Sequence, residues 1–81
     1  MKTFKDLKVG DKIYCLDWLN HLWIISAVIS EIQPEEENDW ISFETDWFDH
    51  KIPNSRIDRS EYGCIFACPE AILKAVENGH I

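Results

Sequence analysis

A small, mainly antiparallel β-barrel of about five strands with one short C-terminal α-helix is predicted by three features of this 81-residue sequence. Apolar and polar residues alternate with period two through most of residues 12–67. No segment between those strands is long enough for the crossover of a parallel βαβ unit. After Pro69 the apolar spacing changes to that of a helix and stops at Gly79.

The chain opens with Thr3-Phe4-Lys5-Asp6, which has capping-box spacing and predicts one helical turn before the first strand. Val9-Gly10-Asp11 reads as a turn, because glycine enters backbone regions closed to other residues. Lys12 to Leu19 is the first strand, with Ile13 and Cys15 on one face and Tyr14, Leu16 and Trp18 on the other. Asn20-His21 supplies a tight hairpin turn. Leu22 to Ile32 is rich in β-branched residues and apolar on both faces until Ser30 and Glu31, which predicts a strand buried on two sides. Pro34 to Asn38 is a polar turn, and Asp39 to Thr45 is the third strand. Asp46 to Ile52 reads as a loop followed by a short fourth strand ending before Pro53. Asn54 to Ser60 is turn-like, and Glu61 to Ala67 reads as a single fifth strand. Pro69 suits the first helical position, where its missing N–H costs nothing. The helix is expected to reach about Asn78, with Ile72, Ala75 and Val76 on its buried face.

Two stretches resemble known proteins. "LKVGDKIY" at Leu7–Tyr14, followed by a long second strand, resembles the opening of SH3-like barrels, including the KOW and Tudor relatives. The closing "YGCIFACPEAILKAVENG" resembles the tail of small bacterial or phage-encoded proteins, a resemblance that implies no established activity. Nucleic-acid binding is one role the SH3-like resemblance implies, and the chain departs from those relatives in lacking a basic surface.

Eighty-one residues make one domain, and a domain of this size buries about 60–65% of its unfolded surface, so each large apolar residue matters. The apolar fraction of 46% is that of a globular chain rather than a disordered one. No apolar run reaches the roughly 20 residues of a membrane span, and the start is too charged for a secretory signal; a cytoplasmic protein is expected. Three cysteines, an odd number, predict reduced thiols rather than a disulfide framework.

The net charge of −7 is unevenly placed. Residues 1–12 carry four lysines and two aspartates, residues 13–50 nine acids and no Lys or Arg, and residues 51–81 four of each sign. An acidic middle attracts basic partners and repels nucleic-acid phosphates.

Cys64 and Cys68 do not suit a metal. Structural zinc sites use two such pairs, and in an extended strand these thiols would stand about 13 Å apart. Small buried hydrophobes at a strand–helix joint are the better account of them. Asp46, Asp49 and His50 form a conceivable ligand or acid–base set, but the segment lacks the glycine turn of a calcium loop. There is no phosphate-binding glycine loop and no nucleophile elbow. Neither metal nor cofactor is expected, and an enzyme is not.

The aromatic residues carry the functional reading. Trp23 and Phe43 read as core, whereas Trp40 and Trp47 flank acidic residues at strand ends, where aromatic rings are half exposed. The predicted function is a non-enzymatic protein-interaction module. Its surface is Trp40, Trp47 and Phe48, rimmed by Glu35, Glu36, Glu37, Asp46 and Asp49, and its partner a protein with a basic surface. Two alternatives remain. A nucleic-acid-binding barrel requires Lys2, Lys5, Lys8, Lys12, Arg56 and Arg59 to converge, and a phosphate-mimicking inhibitor of a nucleic-acid-binding protein requires regularly spaced carboxylates.

Overall fold

The computed structural model describes residues 1–16, 23–35 and 39–79, with Glu35 described by its backbone alone. The expected course of the first strand beyond Leu16, the Asn20-His21 turn, and Glu36, Glu37 and Asn38 lie outside the described residues. The described residues form six strands: β1 (Lys12–Leu16), β2 (Ile24–Glu35), β3 (Trp40–Thr45), β4 (His50–Pro53), β5 (Glu61–Tyr62) and β6 (Ile65–Phe66). The helix α1 spans Pro69–Glu77. The strands pair antiparallel in the order β4-β3-β2-β1-β6-β5 and curl into a nearly closed barrel. No helix among the described residues is long and apolar enough to cross a membrane.

The long β2 belongs to both halves of the sheet. Ile24 to Val28 pair with β1, and Ile29 onward pair with β3. Between them the register shifts, with Ile29 opposite Thr45 and Glu31 opposite Glu44. Ser30 is the extra residue, and its hydroxyl donates to the carbonyl of Glu44 at 3.1 Å. A bulge advances the side-chain alternation by one residue and bends the strand. Ala27 and Ile29 therefore face the core before the bulge, and Ile32 faces it after. This corrects the expectation of two-sided burial. The apolar run changes phase rather than filling two faces, and Ile24 and Val28 point to solvent.

Trp23, read as core, is also corrected, being 64% exposed just before β2. Trp23→Ser is accordingly expected to change stability by no more than about 0.5 kcal/mol in a urea melt, the range of ordinary surface substitutions. A loss above about 2 kcal/mol would place the indole in a packed site.

The predicted fifth strand is a tight hairpin instead. Glu61 pairs with Phe66 and Tyr62 with Ile65, leaving Gly63-Cys64 as the two-residue turn. Gly63 has φ +59° at the first central position, which hairpin turns of this length reserve for glycine. The helix begins at Pro69 as expected and ends before Gly79, whose φ of +72° turns the chain out of the helix. Its buried face is Ala71, Ile72 and Ala75, while Val76 and Leu73 are exposed.

Apolar residues gather on both sides of the sheet. Inside the barrel lie Phe4, Leu7, Ile13, Ala27, Ile29, Phe43, Ile52 and Ala67. Outside, Leu16, Phe66 and Cys68 receive the helix through Ala71, Ile72 and Ala75, with Tyr14 and Cys64 alongside. The alternation read for β1 holds, with Ile13 turned inward and Tyr14 and Leu16 toward the helix.

The N-terminal segment is bonded to the connection between β4 and β5. Asp6 accepts hydrogen bonds from the Thr3 N–H at 3.1 Å and the Thr3 hydroxyl at 3.0 Å, holding a single 3-10 turn at Phe4–Asp6. The N–H of Phe4 donates to the carbonyl of Arg59 at 2.9 Å, and that of Lys5 to Ile57 at 2.7 Å. This seats the Phe4 ring 6.4 Å from that of Phe43.

Candidate interaction surface

Asp46, Trp47, Phe48 and Asp49 connect β3 to β4, and hydrogen bonds pin this loop. The Thr45 hydroxyl accepts the N–H of Phe48 at 2.9 Å and that of Trp47 at 3.3 Å, and donates to the carbonyl of Phe48. Asp46 ties the loop to β2: its carboxylate accepts the Val28 N–H at 2.8 Å, and its own N–H donates to the Val28 carbonyl at 3.2 Å. A threonine and an aspartate here satisfy backbone groups that a tight loop would otherwise leave unpaired.

On this support Trp47 stands 66% exposed. Its ring meets Phe48 edge-on at 5.6 Å, and Phe48 meets His50 edge-on at 5.3 Å, an arrangement that aromatic rings favour. Three rings thus step from solvent to the barrel interior, where His50 is only 8% exposed and its Nε2 has no hydrogen-bond partner among the described residues.

Carboxylates surround the exposed ring's end of the sheet. Asp46 and Asp49 are exposed, and Glu44 lies opposite Glu31 across β2 and β3. Gln33 Nε2 donates to Glu31 at 2.7 Å and, with a hydrogen bond from the Glu44 side chain, holds the Glu31 carboxyl below its usual range. The hydrogen bond to Glu31 and its charge raise Glu44, with Asp49 adding to the effect. Glu44 and Glu31 were absent from the expected rim, and the cross-strand pairing that brings them together follows from the Ser30 bulge.

Trp40 does not join this surface. It opens β3, opposite Glu35 and Pro53, whereas Trp47 follows the other end of that strand. Six residues at about 3.3 Å each separate them by the length of the strand. Trp40 is half-buried, with its ring edge-on to Tyr62 at 6.3 Å. The expected single patch therefore divides, with Trp47, Phe48, Asp46 and Asp49 at one end of β3 and Trp40 with the Glu35 backbone at the other.

The remaining candidates have local structural roles. Cys64 lies in the Gly63-Cys64 turn and Cys68 is the N-cap residue of α1, its thiol donating to the carbonyl of Lys2 at 3.5 Å. Both contribute to the cluster beneath the helix. Cys15, Cys64 and Cys68 form no disulfide. Among the described residues no group of three or more His, Cys, Asp or Glu side chains is arranged to hold a metal ion. Of the cations the nucleic-acid reading requires, Lys5, Arg56 and Arg59 lie on adjoining segments joined by the N-terminal hydrogen bonds. Lys2 is instead paired with Asp11 at 2.9 Å.

No protein-family model matches this chain, and comparison with curated proteins and with solved structures finds no match.

Proposed function

We propose that this protein is a non-enzymatic interaction module that docks a basic protein segment on Trp47 and Phe48, between the carboxylates of Asp46, Asp49 and Glu44. The observation that carries the reading is a solvent-exposed indole on a loop already held by hydrogen bonds. An aromatic group presented this way offers contact area with little ordering left to do on binding. The acidic rim adds steering, because exposed charges mainly accelerate encounter. The reading of the site does not depend on the SH3-like resemblance. Lys5, Arg56 and Arg59 have Asp6 and Asp58 close by in the chain, so a basic protein is preferred to nucleic acid as partner.

Peptides of about a dozen residues rich in Arg and Lys, titrated into 15N-labelled protein, are a direct probe. The amides of 46–49 and the Trp47 indole should shift together. Trp47→Ala should weaken binding by roughly 30-fold or more, the scale of a hot-spot residue, through faster dissociation. Reversing Glu44 and Asp49 to Lys should slow association and flatten its salt dependence. Shifts centred elsewhere, or unchanged affinity in a folded Trp47→Ala variant, would discard this surface.

A further inference from the structure

Among the described residues, His50 is the one buried ionisable side chain at this end of the barrel, and docking makes no use of it. It opens β4 opposite Phe43 and shares the inward face of the strand with Ile52, while Lys51 points outward. The Phe48 ring rests edge-on against the imidazole, and the Trp47 ring rests edge-on against Phe48. The imidazole is therefore the inner end of the ring stack that presents Trp47.

A neutral imidazole fits this site better than a charged one. Unprotonated Nε2 is a weak acceptor in an apolar setting, whereas protonation would place an N–H donor and a positive charge where no acceptor stands among the described residues. The surroundings offer little relief. β3 presents uncharged Phe43 directly opposite, and the loop presents the Phe48 ring. Asp49, the adjoining residue, is the ionised group whose charge acts on His50, and it is itself exposed. Glu44 on β3 is bonded toward Glu31 on β2 and meets the charge of Asp49. An ionised imidazole is most readily accommodated by turning out to water, which withdraws the surface on which Phe48 rests.

We propose that His50 makes the Trp47 surface acid-sensitive: protonation of the imidazole dismantles the Phe48–Trp47 arrangement while the rest of the barrel stays folded. The consequence for partner binding rests on the docking role of Trp47, whereas the switch itself is a property of the free protein.

The direction in pH follows from linkage. Burial holds His50 below its ordinary value of 6.5, with Asp49 offsetting part of that effect. The displaced or unfolded imidazole takes up a proton near 6.5, and the seated one only at lower pH. The seated arrangement is therefore fully favoured above about 6.5 and loses ground as the pH falls through the interval below it.

The test is an NMR titration of the free protein from pH 7.5 to 5.0, following His50 Cε1–H and the indole N–H signals of Trp47 and Trp40. Trp47 should move with the same midpoint as His50, below 6.5, and Trp40, at the far end of β3, should not. Asp49→Asn should lower that midpoint, and His50→Phe or His50→Leu should abolish the Trp47 titration. A Trp47 signal that stays still while His50 titrates overturns the proposal. So does its persistence in a folded His50 variant, and so does a Trp40 signal that moves at the same midpoint, which would mean global acid unfolding. No partner enters the measurement. Failure of basic peptides to bind at neutral pH would sink the docking role and leave this result standing.

Discussion

Phe4→Ala is expected to destabilise the protein by about 3–5 kcal/mol, the range for truncating a buried phenylalanine. Stability for a chain of this length is roughly 4–12 kcal/mol, so the variant should be partly unfolded or close to it. Phe4 sits in a charged N-terminal segment, yet its side chain is 1% exposed and lies in the same cluster as Ile13, Ile29, Phe43 and Ile52. Its backbone bond to Arg59, and that of Lys5 to Ile57, attach the N-terminal turn to the connection between β4 and β5. The truncation therefore leaves a cavity and weakens the attachment that orders the N-terminal turn. Urea titration followed by tryptophan fluorescence measures the effect. A loss under about 1 kcal/mol would show that residues 3–6 do not belong to the core.

Phe66→Ala removes a side chain of the same size and should also cost about 3–5 kcal/mol locally, but with a different signature. Phe66 is the main aromatic of the cluster beneath α1. Two residue pairs, Tyr14 with Phe66 and Cys15 with Ile65, join β6 to β1, so the hairpin and helix are held largely by that cluster. A nine-residue helix does not persist unsupported in water. The helix should therefore separate at lower urea than the barrel, with hydrogen exchange across α1 rising first and helical circular dichroism lost ahead of tryptophan fluorescence. Coincident transitions at the wild-type midpoint would refute the assignment of Phe66 as the docking residue.

Much of the architecture was legible in one dimension because local chemistry determines it. Gly10 at φ +94° and Gly79 at φ +72° mark turns where only small penalties are tolerated, and Pro69 opens the helix because its missing N–H has no role there. Period-two alternation located β1 and β3, and Phe43 is in the core as its pattern implied. Trp47 beside Asp46 and Asp49 reads from sequence only as half exposed, and its 66% exposure is set by the loop that carries it.

What tertiary structure alone decided lies where two segments distant in sequence meet. The Ser30 bulge reverses the alternation of β2, and it exists through pairing with Glu44 and Thr45 on another strand. It puts Ile32 on the core face in place of Glu31 and brings Glu31 to Glu44. The Glu61–Phe66 hairpin replaces a continuous strand, and its second arm alone pairs with Tyr14 and Cys15 of β1. Val76 has the helical spacing of a core residue but is left in solvent, because the cluster around Phe66 receives Ala71, Ile72 and Ala75 instead. Trp40 and Trp47 are seven residues apart and both beside acids, yet β3 carries them to opposite ends of the sheet. Composition and spacing specify which residues prefer water and which way a strand alternates. The partner across the strand specifies register, and register determines which of those preferences are satisfied.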